Sequence, residues 1–180
     1  MKRFALFAIL LAFSATLFAQ DGSRFSTDGA SVTWQQVFQT PLDSAGVAGG
    51  LIASGHFDNV VVTKDGFTCR IVPHMADYMG AGVKRGLVSM YLVSADMEGR
   101  AVVQIREGRY RVTVDEIVFT TNISGGIFTP GTRTKLETYA LNGSGQFRRN
   151  FWNAGSSPII DYDLFSLFEL KEREDQDEDW

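Results

Sequence analysis

The densest gathering of reactive side chains lies between Pro73 and Gly86, where His74, Asp77, Tyr78, Lys84 and Arg85 bring an imidazole, a carboxylate, a phenol, an amine and a guanidinium into one loop. A histidine three residues from an aspartate has the types of a general base and its orienting carboxylate, and Lys84 or Arg85 would meet an anion. The nucleophile of such a site is missing. The loop holds no serine or cysteine, and no G-x-S-x-G turn occurs anywhere in the chain. A small hydrolase using His74 and Asp77, with a further carboxylate from Asp96, Glu98 or Asp115, is therefore the alternative reading. Contact with a ligand or partner through Tyr78, Lys84 and Arg85 suits the same residues with fewer missing parts.

A second constellation is Arg106, Arg109 and Arg111. Tyr110, Val112 and Val114 alternate with these arginines, so the guanidiniums project from the polar side of a strand pair and form a basic patch for an anionic partner. Other chemistries lack their parts. Gly80-Ala81-Gly82 is followed by Lys84-Arg85 rather than by a lysine and a hydroxyl residue opening a helix, so it is no phosphate cradle. His56 and His74 are the only histidines and form no close pair, so no metal site is predicted, and no cofactor signature appears. Asp161-Tyr162-Asp163 has no further spaced oxygen ligands and reads as a helix cap. Cys69, the single cysteine, alternates with Phe67 and Ile71 and belongs to a core.

These groups have to be positioned by an exported domain. Lys2 and Arg3 precede an apolar run from Phe4 to Phe18 that ends at Ala19, the pattern of a signal peptide (residues 1–19), and the run is too short to span a bilayer. The mature protein is expected to be soluble, in the periplasm or outside the cell, without a transmembrane segment. Cleavage there removes Lys2 and Arg3 and takes the net charge from -4 to -6. Residues 171–180 hold six acidic and two basic side chains and account for -4 of that. A chain with this balance lacks the cationic surplus that displaces counterions from a phosphate backbone, so no nucleic-acid partner is expected.

Residues 20–31 are small and polar and read as a flexible leader, residues 32–170 as a single domain, and residues 171–180 as a disordered acidic tail. Val32 to Phe38 reads as a strand with a face change at Gln35-Gln36, which suggests a bulge or twist there. Asp43 and Ser44 open a helix carrying Val47, Leu51 and Ile52. Phe57 to Thr63 and Phe67 to Val72 form a hairpin with its turn at Lys64-Asp65-Gly66, where Asp-Gly suits positive φ. Further strands are predicted at Leu87 to Val93, Arg100 to Arg106 and Arg109 to Phe119, with Met97-Glu98-Gly99 as a connection. In the last strand, Ile117 and Phe119 stand one residue out of step with Val114, which predicts a bulge at Asp115-Glu116. A closing helix follows Pro158, capped by Asp161 or Asp163. Strands joined by short turns imply an α+β fold, β-α-β-β-β-β-β-α, with a single antiparallel sheet and helices on one face.

Trp34 with Val37-Phe38, Ala76-Asp77-Tyr78, Gly80-Ala81-Gly82, Met90-Tyr91 and above all Glu107-Gly108-Arg109-Tyr110-Arg111-Val112 resemble a family of exported Bacteroidetes proteins, a domain of unknown function with a TATA-binding-protein-like fold. The resemblance covers residues 32–170 and departs from the family near the end, where short pieces and the acidic tail stand in place of one long helix. It implies a curved antiparallel sheet with helices on its convex side and a free concave face, and it implies no reaction. The leading expectation is thus a non-enzymatic binding domain of the bacterial envelope whose partner is a protein or a small anionic ligand.

Overall fold

The computed structural model describes residues 23–124, 129–153 and 155–170. Residues 1–19, read as a signal peptide, and residues 171–180, read as an acidic tail, lie outside them.

Among the described residues, seven strands form one antiparallel sheet: β1 (Phe25–Thr27), β2 (Val32–Gln39), β3 (Phe57–Thr63), β4 (Gly66–Ile71), β5 (Ala95–Arg106), β6 (Arg109–Thr121) and β7 (Arg133–Lys135). They run β1-β2-β6-β5-β4-β3 across the sheet, and β7 pairs with β6 beyond the end of β2. In the described residues five α-helices complete the α+β fold: α1 (Ser44–Ala53), α2 (Met90–Val93), α3 (Leu136–Ala140), α4 (Arg149–Asn153) and α5 (Ser156–Phe168). The period-two pattern of the strands decides where the helices go. Trp34, Cys69, Met97, Val103, Tyr110, Val112 and Val114 are buried on one face together with Val47 of α1 and Leu164 and Phe168 of α5. Gln35, Val37, Gln104, Arg106, Arg109 and Arg111 face outward on the other. Phe168 joins the two layers, stacking on Phe57 at 4.7 Å and on Trp34 at 6.4 Å between ring centroids.

Several sequence expectations recur in the structure. The β3–β4 hairpin forms about Lys64-Asp65. Gly66 is at φ 150, and a Cβ there would lie 1.9 Å from the Val103 carbonyl oxygen on β5, so only glycine lets β4 and β5 approach this closely. Asp43 caps α1 by accepting from the Gly46 amide at 2.8 Å. On β6 the bulge stands at Asp115-Glu116: Arg100 faces Asp115 but Glu98 faces Val118, and Glu116 takes φ 50.

Four expectations are corrected. Phe25–Thr27, read as leader, forms the outermost strand, held because Phe25 packs edge-on against Phe151. No bulge occurs at Gln35-Gln36, where β2 runs in unbroken register with β6. Gln36 stays on the helix side because its Oε1 accepts from Arg24 Nε at 2.6 Å. Leu87 to Val93 is a 3-10 turn followed by α2, closed by the Ser94 hydroxyl donating to the Met90 carbonyl; β5 starts instead at Ala95 and runs straight through Met97-Glu98-Gly99. Gly99 fits there because it lies against the bulge, where a Cβ would stand 3.2 Å from Val114. Finally, α5 starts at Ser156 with Pro158 in its first turn, so Asp161 and Asp163 lie in its interior and cap nothing. No helix among the described residues is long and apolar enough to cross a membrane.

Candidate functional site

His74 enters the sheet through a bridge to Met97 at the start of β5, its amide and carbonyl bonding that residue at 3.1 and 2.7 Å. This places the ring over α5. Its Nε2 lies 2.8 Å from Asp163 Oδ2, and its Nδ1 lies 2.9 Å from the Val72 carbonyl. The carboxylate partner is therefore Asp163, not Asp77. The Asp77 carboxylate accepts from the Gly80 amide at 2.7 Å, while its own amide donates to Asp163 Oδ1 at 2.8 Å. Of the further carboxylates considered, Glu98 pairs with Arg133 and Asp115 with Arg100 on the opposite face of the sheet. Only Asp96 adds negative charge near the imidazole.

Burial works against a charged His74, but the hydrogen bond and charge of Asp163, the Val72 carbonyl and Asp96 outweigh it and raise the pKa above 6.5. With an acceptor against each nitrogen, the protonated ring can donate twice, and both nitrogens are engaged within the protein. The arrangement is a clamp that fastens the Pro73–Gly86 loop to α5. Tyr78 is half-buried against the core; Lys84 and Arg85 are exposed where the 3-10 turn begins. Among the described residues no group of three metal-ligating side chains gathers.

The arginines sit elsewhere. A two-residue turn, Glu107-Gly108 with Gly108 at φ 72, pairs Arg106 directly with Arg109 and Gln104 with Arg111, and β2 brings Val37 opposite Arg111. These five residues line a shallow cleft of about 220 Å³ on the open face. Arg111 donates to Gln104 Oε1 through Nε and Nη2 at 3.1 and 2.5 Å. Among the described residues no carboxylate pairs with Arg106, Arg109 or Arg111, although like charges directly opposite across a strand pair repel. Further along the same face the arginines are neutralised: Arg70 by Glu116 at 2.7 Å, Arg100 by Asp115 at 2.6 Å, and Arg133 by Glu98. One end of the face is balanced, and the other is cationic.

The two constellations do not form one surface. From Met97, where the His74 loop attaches, to Arg106 is nine residues of β5, roughly 30 Å at the rise of an antiparallel strand, and the loop lies on the helix side. Tyr78, Lys84 and Arg85 are thus separate from Arg106, Arg109 and Arg111. Val37 and Gln104 were not singled out from sequence. Counting back from the two-residue turn would have placed Gln104 opposite Arg111. Nothing local marks Asp163 as the partner of a histidine 89 positions away.

No family model matches the chain, and no curated protein matches it significantly. Among solved structures it is similar to a DUF4468 family protein from Bacteroides ovatus, at 14% identity over 81% of this chain and 90% of that one, with a TM-score of 0.44. It is also similar to a TBP-like protein from Parabacteroides distasonis, at 12% identity over 78% and 91% of the two chains, with a TM-score of 0.48. At this identity the likeness is one of fold, and no residue's role is carried over.

Proposed function

We propose that this chain is an exported, non-enzymatic binding domain of the bacterial envelope whose open sheet face receives an acidic segment of a partner protein at Arg106, Arg109 and Arg111. One observation carries the reading: three guanidiniums adjoin on a pair of strands with no carboxylate paired to them among the described residues, on a face where every arginine further along has one. Repulsion between facing cations is a cost to folding that an incoming anion relieves. The cleft, about 220 Å³ and lined by Val37 and Gln104 besides the arginines, is smaller than the cavities of roughly 300–1,000 Å³ that enclose small molecules. An extended peptide laid across the sheet suits it better, with carboxylates taken in bidentate fashion by the guanidiniums.

The test is fluorescence anisotropy of a labelled hexaglutamate peptide titrated with the full chain. Reversing two charges with Arg109→Glu and Arg111→Glu is expected to weaken binding at least about tenfold, and added salt to weaken the parent likewise. Unchanged affinity in the double variant would overturn the proposed face.

A further inference from the structure

We infer that Gln104 sets the specificity of the arginine cleft, placing a neutral oxygen where a carboxylate would close the site from within, a role that rests on the cleft being the binding face. Its counterpart stands further along the same two strands. Arg100 of β5 faces Asp115 of β6, and its Nε and Nη2 donate to Asp115 Oδ1 and Oδ2 at 2.8 and 2.6 Å. Gln104 of β5 faces Arg111 of β6, and there the Nε and Nη2 of Arg111 donate to Gln104 Oε1 at 3.1 and 2.5 Å. The same edge of a guanidinium is taken in both pairs. In the first a carboxylate cancels the charge; in the second an amide close to glutamate in shape accepts the hydrogen bonds and cancels nothing.

This pairing decides which groups are left for a ligand. With Nε and one hydrogen of Nη2 directed at Gln104, the Nη1 and Nη2 end of Arg111 is free, and that end takes a carboxylate in bidentate fashion. Because Gln104 Oε1 faces the guanidinium, its Nε2 is the unused end of the amide and adds donors but no acceptor. Val37 supplies an apolar wall and Arg106 and Arg109 supply further donors, while Glu107 in the turn is not among the residues that line the cleft. The free polar side-chain groups of the lining, among the described residues, are donors alone. Such a cleft admits an anion that brings only acceptors, as the side chains of an acidic segment do, and rejects a segment that presents ammonium groups. Gln104 and Arg111 are both exposed, so their hydrogen bonds compete with water and contribute little to stability. What they fix is the edge that Arg111 turns to the ligand.

The experiment titrates labelled hexaglutamate with the full chain and with its Gln104→Glu and Gln104→Met variants. Gln104→Glu supplies the closing carboxylate from within and is expected to weaken capture at least about tenfold while raising the urea midpoint, since the cleft then neutralises itself as Arg100 and Asp115 do. Gln104→Met is close in volume, adds no charge, and is expected to cost about threefold or less. A merely structural role would move stability and capture in the same direction in both variants. Equal losses of capture in the two variants, or a lower urea midpoint for Gln104→Glu, overturn the inference. Arginine side-chain NMR reads the positioning directly: on saturation with hexaglutamate the Arg111 Nη signals are expected to shift while its Nε signal, held by Gln104, stays, and in Gln104→Met the Nε signal is expected to move as well. A shift of Nε in the parent as large as that of Nη overturns the positioning. Should the Arg109→Glu, Arg111→Glu reversal abolish capture while Gln104→Glu leaves it intact, the role of Gln104 falls and the binding face stands. Should hexaglutamate be indifferent to that reversal, the face falls and the role of Gln104 with it.

Discussion

Replacing Asp163 with asparagine isolates the clamp between the Pro73–Gly86 loop and α5. The substitution keeps an oxygen for the Asp77 amide and removes the charge that faces His74 Nε2 at 2.8 Å. A hydrogen bond to a charged group contributes about 1.5–3 kcal/mol. Asp163 is 5% exposed but His74 is 28% exposed, so solvent screens part of it, and the expected loss is about 2 kcal/mol at pH 5.5. The pH dependence follows from the direction of the shift. The folded pKa of His74 is raised above 6.5, so the stabilisation is fully present below 6.5 and disappears as pH rises through the folded value. Asp163→Asn should therefore unfold at lower urea than the parent at pH 5.5, and the gap should close as the imidazole deprotonates. The assay is urea unfolding followed by tryptophan fluorescence at half-unit steps from pH 5.5 to 9, with the His74 ring 15N shifts as a direct check on its protonation. A gap that stays constant over that range, or a neutral ring at pH 6, would refute the doubly donating clamp.

Two further outcomes test the sheet. Gly66→Ala places a Cβ 1.9 Å from the Val103 carbonyl oxygen at a φ of 150 and should cost at least about 2 kcal/mol by chemical denaturation; full stability would mean that β4 and β5 do not approach as described. Arg109→Glu alone turns a repelling cross-strand pair with Arg106 into an attracting one and should raise stability by about 0.5 kcal/mol while weakening peptide capture; a loss of stability would show that the facing guanidiniums do not repel.

The strand pattern was legible where neighbours in sequence are neighbours in space. The Asp43 cap, the β3–β4 hairpin and the β6 bulge each follow from a few adjacent residues, since a register slip of one position moves every side chain to the other face. Leu87 to Val93 misled because its alternation satisfies the strand template, whereas the Ser94 hydroxyl on the Met90 carbonyl and the burial of Leu92 select a helical turn. The aspartates of α5 were misassigned for a different reason. Capping is judged from a window of a few residues, but Asp161 receives the Trp34 indole N–H across 127 positions and Asp163 meets His74 across 89. Long-range polar pairing of this kind has no periodic trace.

That difference bears on which constellation is the site. The loop that looked richest in chemistry turns its imidazole inward, where both ring nitrogens are committed and the neighbouring carboxylate is consumed by a backbone amide. Its polar groups hold the fold together. The arginines looked ordinary in sequence because solvated cations on a polar strand face are common. Registration by a two-residue turn changes this, for Arg106 and Arg109 can no longer avoid each other, and the acids that neutralise Arg70, Arg100 and Arg133 all stand toward the other end of the sheet. Glu98, Asp115 and Glu116 lie six or more residues along their strands from Arg106 and Arg109, about 20 Å or more, beyond the screening length at physiological salt. The repulsion left between these facing guanidiniums is the feature on which the proposed binding face rests.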